Sequence, residues 1–312
     1  MEAILNPALL LFLSGILIGI TFKLTLPNSI SKYLGYYLLL SLGLKGGLSL
    51  QENGFINEVI SVLSLGVIFA LLIPAVAYFY LKNLLNTDDA AALSGTYGSV
   101  SAVTFVTAIA YLSTTSQDFD NYMSAVLVVM EFPAIFMALY LVTHNKNDNN
   151  NNLKTIKTAF LEIPNIILIS SLFVGYFVSK KTLSNLDYLI VTIFDYLLYI
   201  FLFVMGTRVA KRIGELKGRG FSLIAFALLM PLIGSFISLL ASIYFGLSIG
   251  NATLLMVLTA SASYIAVPAV VKDAIPDANP AIYLGLSLGV TFPFNIIVGI
   301  PLYNELAKYF IG

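Results

Sequence analysis

Ten apolar runs, most of them close to twenty residues long, follow one another along the chain with little between them. They cover Asn6–Phe22, Ile30–Leu44, Val59–Leu81, Ala90–Leu112, Tyr122–Val142, Ala159–Val178, Tyr188–Met205, Phe221–Phe245, Ala252–Val271 and Ala281–Tyr303. A hydrocarbon core ~30 Å thick is crossed by a helix of ~20 such residues. Inside it only helices and closed barrels satisfy their own backbone hydrogen bonds. The pattern therefore predicts an all-α polytopic membrane protein with ten transmembrane helices. Composition agrees, since 59% of the residues are apolar and 10% charged, against roughly a quarter charged in a soluble fold. The second and seventh runs are short or polar at their ends, which suggests tilted or interrupted helices.

What the chain lacks narrows its chemistry. It has no cysteine, which excludes disulfides, thiolate metal sites and cysteine nucleophiles. Its single histidine, His144, leaves a histidine-built metal centre or a Ser-His-Asp triad without its parts. No cofactor is expected. A net charge of zero implies no polyanion partner such as nucleic acid. The first run has no basic flank and no evident cleavage site, so no signal peptide is expected. Ten spans place both termini on one side, with Lys45, Lys180, Lys181 and Lys308; the remaining twelve basic residues gather on the other. The positive-inside bias then puts the Arg208–Arg219 loop and the Asn-rich stretch from His144 in the cytoplasm, and both termini outside.

The two halves of the chain resemble each other. Pro7 leading to Ser14 is echoed by Pro164 leading to Ser171, and Gly43-Leu44-Lys45 by Gly206-Thr207-Arg208. Phe69-Ala70-Leu71-Leu72-Ile73-Pro74 returns as Phe226-Ala227-Leu228-Leu229-Met230-Pro231. Leu93-Ser94-Gly95-Thr96 returns as Leu258-Thr259-Ala260-Ser261, and Glu131-Phe132-Pro133 as Thr291-Phe292-Pro293. All five pairs occur in order, with offsets of 157 to 165 residues. The expected organisation is a first five-helix repeat over 1–143, a cytoplasmic linker over 144–156, and a second repeat over 157–312. Five is odd, so the second copy runs upside down through the membrane. Inverted repeats of this kind build secondary transporters.

Span four holds Ser94-Gly95-Thr96-Tyr97-Gly98-Ser99-Val100-Ser101 at its centre, and span nine holds Thr259-Ala260-Ser261-Ala262-Ser263 with Pro268 after it. Glycine weakens a helix by ~1 kcal/mol relative to alanine, so both centres suggest broken helices crossing at mid-membrane. Unwound backbone at that depth lines a cavity. Half-helix N-termini there offer N–H groups and partial positive charge to an anion, while hydroxyls and C-terminal carbonyls suit Na⁺. The alternative reading of such small residues is close helix packing. Glu131 lies inside span five among apolar neighbours. An ionisable group there costs on the order of 3 kcal/mol unless partnered. Its repeat counterpart is Thr291, and Asn295 follows one turn later. With Ser94 and Thr104, these oxygens form a candidate hard-cation set. The competing role for Glu131 is a protonated structural acid. Asp195 is a second embedded acid, able to pair with Lys45 or Arg208, which end their spans.

Three strings carry a family resemblance. Gly43-Leu44-Lys45-Gly46-Gly47, Tyr97-Gly98-Ser99-Val100-Ser101-Ala102-Val103-Thr104-Phe105 and Met130-Glu131-Phe132-Pro133-Ala134-Ile135 resemble the sodium-dependent bicarbonate permease family. The resemblance implies a five-plus-five inverted fold with a core domain and a gate domain, assembled as homotrimers in the plasma membrane. It implies import of HCO₃⁻ with Na⁺ as coupling ion, and regulation by a small PII-like protein, for which the short Asn-rich linker offers little docking surface. It places anion and sodium sites around Gly98, Ser99, Ser101, Thr104 and Glu131; Ser261 and Ser263 join them through the internal repeat. The broken helices also look like those of the bile acid sodium symporter fold.

The same residues bear on other functions. A symporter of an organic carboxylate needs apolar wall beside the carboxylate. A cation/proton antiporter built on Glu131 needs a second acid or a lysine beside it. An intramembrane enzyme needs a nucleophile–base pair or metal ligands, and a structural or receptor protein fits poorly with embedded acids and broken helices.

Overall fold

The computed structural model describes residues 7–24, 26–146, 161–178, 192–215, 220–265, 267–268, 271 and 275–312. Most of the expected linker, the starts of spans six and seven, and Lys154, Lys157, Lys180, Lys181, Lys217, Arg219 and Lys272 lie outside the described residues. Every element among those described is helical. In order they are α1 (Pro7–Phe22), α2 (Asn28–Asn53), α3 (Asn57–Leu81), α4 (Thr87–Gly98), α5 (Ala102–Thr114) and α6 (Met123–Lys146). The second half gives α7 (Ile163–Phe177), α8 (Ile193–Glu215), α9 (Phe221–Phe245), α10 (Ile249–Ala260) and α11 (Pro280–Ile311). Five stretches are long and apolar enough to cross a bilayer: Asn57–Leu81, Thr87–Thr114, Ile193–Arg212, Phe221–Phe245 and Pro280–Ile311. Three shorter apolar helices, α1, α7 and α10, accompany them. The chain is a multi-pass membrane protein.

Three spans differ from their apolar runs. The seventh was expected to end at Met205 but continues as α8 to Glu215, so that Arg208 lies inside a helix and not at its end. The second was expected to stop at Leu44, yet α2 continues to Asn53. Its last turns read as polar because they are built of small residues, and those residues are buried in helix contacts. Gly46 lies against Ser124 of α6, and Gly47 against the backbone of Leu172 and Gly175 on α7. Span ten reaches Ile311, with π-helical turns at Ser287–Thr291 and Asn295–Gly299. Each ends two residues before a proline, Pro293 or Pro301. Proline supplies no N–H, so the ladder slips to a wider register there.

Four helices, α1, α2, α7 and α8, form a panel, in which α1 lies along α8 and α2 along α7. The glycines of the repeated Gly-x-Lys/Arg strings explain the pairing. A Cβ on Gly43 would strike Ser171 and the Leu168 carbonyl, and one on Gly206 would strike the backbone of Phe12 and Gly15. Small residues let membrane helices approach this closely, and van der Waals contact then holds them. The other helices form a core, with α3 against α4 and α6, and α10 against α9 and α11. Two matching contacts tie the core together. Asp89, three residues past the Asn86 cap of α4, accepts the Asn279 backbone N–H at 2.6 Å. Asn251, three residues past the Ser248 cap of α10, accepts the Asp120 backbone N–H at 2.9 Å. Each joins the start of one broken span to the loop before the last helix of the other half.

Candidate functional site

Span four is interrupted over three residues. α4 ends at Gly98, Ser99 is extended, and α5 restarts after Ser101, whose Oγ accepts the Thr104 N–H at 3.2 Å. A serine in that position replaces the carbonyl the helix lost. The same construction recurs in span nine. α10 ends at Ala260, Ser261 is extended, and the Ser263 Oγ accepts the Val267 N–H at 3.3 Å where helical backbone resumes.

The two breaks meet. Ser101 donates its N–H to Ser261 Oγ at 2.9 Å, and Ser263 donates its N–H to the Thr96 carbonyl at 2.8 Å. Side chains from the flanking helices satisfy what remains. Glu131 on α6 accepts from Ser99 Oγ at 2.9 Å, with the Val100 backbone N–H on the same carboxylate. On the other side Asn295 of α11 donates to the Ala260 carbonyl at 2.8 Å and accepts from Tyr303. Thr291 joins Tyr97 Oη and also donates to the Ala227 carbonyl. One break is thus completed by a carboxylate and the other by an amide.

A cavity of about 40 Å³ opens beside this junction, where core and panel face each other. Ser101, Glu131, Ser263 and Tyr264 line it from the core, and Leu39, Asn165 and Leu168 from the panel. At roughly 10–15 Å³ per water centre, it holds about three waters, which is the scale of a four-heavy-atom oxyanion.

The sequence-derived residues divide between these surroundings. Ser101, Ser263 and Glu131 line the cavity; Ser99 and Ser261 lie just behind it, bonded to Glu131 and to the Ser101 backbone. Thr104 donates to Ser101 Oγ within the first turn of α5. Asn295 serves the second break, and Thr291 ties Tyr97 of α4 to the Ala227 carbonyl of α9; neither joins Glu131. Ser94 is fully buried and donates to the Ala90 carbonyl at 2.6 Å, one turn before the break. Gly98 does not line the cavity: a Cβ there would collide with the Pro74 ring of α3, so the absence of a side chain serves the α3–α4 contact.

Sequence reasoning missed three members. Asn165 follows Pro164 at the head of α7 and is buried at the cavity wall. Its signal was an amide in an otherwise apolar run. Tyr264 follows Ser263 directly, inside the run Ala252–Val271, where an aromatic residue carries no signal of its own. The Thr96 carbonyl, a backbone group, has no sequence signal at all.

No curated protein matches the chain. Residues 7–308, nearly all of it, match the model of the Na⁺-dependent bicarbonate transporter superfamily, a transporter family and not an enzyme family, and the chain belongs to that superfamily.

Proposed function

We propose that this protein imports bicarbonate together with Na⁺ across the plasma membrane by alternating access, with Glu131 at the coupling site. The observation that carries the reading is the carboxylate of Glu131 in the wall of a small, mainly apolar cavity that also takes in Ser101 and Ser263 of the two helix breaks. A bare carboxylate repels an anion. At ~4 Å and an effective dielectric of 20 the repulsion is about 4 kcal/mol, close to a thousandfold in affinity. An anion therefore binds there when a cation shares the site, and that requirement is coupling. The Ser101 and Ser263 hydroxyls serve the anion, and Glu131, with Ser99 and Thr104 beside it, serves Na⁺. The size of the cavity favours bicarbonate over an organic carboxylate, whose carbon chain has no room in it.

Alternating access rests on ten spans in two inverted five-helix repeats, with both termini outside. Three pairings support that arrangement: α1 with α8 against α2 with α7, Asp89–Asn279 against Asn251–Asp120, and the two serine-capped breaks. In this reading the panel is the gate domain and the core carries the site, and the family resemblance adds a trimer. The test is uptake of labelled bicarbonate into proteoliposomes. Uptake is expected with a Na⁺ gradient and not when K⁺ replaces Na⁺. Equal uptake in both would overturn the reading.

A further inference from the structure

Two buried donors next to the cavity have no acceptor. The Tyr264 hydroxyl lies beside Ser101 and Arg208 and completes a hydrogen bond with neither. Its ring lines the cavity and is held edge-on against Phe292, centroids 5.2 Å apart. Arg208, on α8 of the panel, spends one end of its guanidinium on Asn28, donating to Oδ1 at 2.8 Å and to the carbonyl at 3.3 Å. Its Nε–H is buried and unpartnered. Among the described residues no ion pair is formed by Arg208, and Tyr264 and the like-charged Arg212 are near enough to act on it.

The repeat sharpens the point. Lys45 is the counterpart of Arg208 in the first half, and it is satisfied where it stands. Its ammonium sits 4.4 Å from the Phe194 ring centre and is drawn to Asp195. The same panel position therefore holds a discharged cation at one end and an undischarged one at the other. Buried donors are nearly always bonded, and an unpartnered arginine N–H near an unpartnered tyrosine O–H suits an oxyanion, since charge-assisted bonds of this kind are the strong ones.

We propose that the Arg208 guanidinium and the Tyr264 hydroxyl form a receiving site for the transported oxyanion, between the cavity and the face that carries the Arg208–Arg219 loop. The site joins panel to core, so it exists only while these two parts keep their present relation. An anion leaving Ser101 passes the Tyr264 hydroxyl and meets the guanidinium on its way to the cytoplasm. This rests on the bicarbonate reading above and adds to it a second, side-specific station.

The experiment compares right-side-out and inside-out membrane vesicles, measuring half-saturating bicarbonate from each face under saturating Na⁺. Arg208→Gln is expected to raise the constant roughly tenfold or more at the loop face and to leave the opposite face within about twofold. Tyr264→Phe, which keeps the ring and removes the donor, should shift the same face in the same direction, by less. Equal shifts at both faces, or none, would overturn the proposal. So would Asn28→Ala reproducing the Arg208→Gln defect, because the arginine would then be a tie to α2 and no more. A wild-type protein that carries no bicarbonate fails the proposed function itself. Wild-type transport without the asymmetry fails this inference alone.

Discussion

The break in span four and the break in span nine share a construction and differ in chemistry. Both end on an extended serine and restart on a serine that caps the next turn. Both donate a backbone N–H across to the other. Yet the first is closed by the carboxylate of Glu131 and the second by the neutral amide of Asn295, while Thr291, at the place matching Glu131, bonds Tyr97 and the Ala227 carbonyl. The two matching breaks offer equivalent sets of freed backbone groups. One charge, placed on one copy, makes the two unequal. In the proposed function that inequality gives a single coupling site, where strict symmetry would have given two.

The comparison breaks most sharply at the acid. Glu131→Gln keeps the volume and one acceptor but removes the charge that offsets Na⁺ dehydration. The Na⁺ dependence of uptake should be lost, because the charge whose repulsion Na⁺ has to cancel is gone, while insertion and assembly remain as in wild type. Thr291→Val at the matching place should cost tenfold or less, as loss of a neutral hydrogen bond does. Similar losses at both positions would erase the distinction between the two breaks.

Ser99→Ala tests the same break one bond away. The serine donates to Glu131, and a hydrogen bond to a charged group contributes ~1.5–3 kcal/mol. Half-saturating Na⁺ should rise roughly 10- to 100-fold, with a smaller change in the bicarbonate constant. A shift confined to bicarbonate would place Ser99 on the anion instead.

Gly98→Val separates packing from recognition. Because Gly98 abuts Pro74, the added side chain overpacks the α3–α4 contact, a cost of about 1–3 kcal/mol. Lower thermal stability in detergent is expected, with bicarbonate binding kept in the fraction that stays folded. Unchanged stability with abolished binding would show that the anion reaches this backbone.

The smallest effect is expected at Ser94→Ala. Its hydroxyl returns a bond to its own helix, so stability should move by less than about 0.5 kcal/mol and the Na⁺ constant by less than twofold. A larger Na⁺ effect would extend the cation site one turn into α4.

These differences show what could be read before the structure. The two breaks were legible because serine and glycine gathered at the centre of apolar runs have a direct backbone consequence. Glu131 was legible because a lone acid in such a run is costly wherever it lies. Gly98 was open to two readings, and its meaning depended on Pro74, some twenty residues away in sequence. The continuation of α2 to Asn53 and the divided duties of Thr291 and Asn295 come from tertiary contacts that no local pattern encodes. Tyr264 and Arg208 were individually visible, but nothing in the sequence announced their proximity.

The central claim is that the Glu131 charge makes anion binding depend on Na⁺. It is tested most directly by bicarbonate binding to the purified protein, measured calorimetrically across a series of Na⁺ concentrations at constant ionic strength. Wild type should bind more tightly as Na⁺ rises, and Glu131→Gln should bind with an affinity that no longer responds to Na⁺. A Glu131→Gln protein whose bicarbonate affinity still rises with Na⁺ as wild type does would contradict the account.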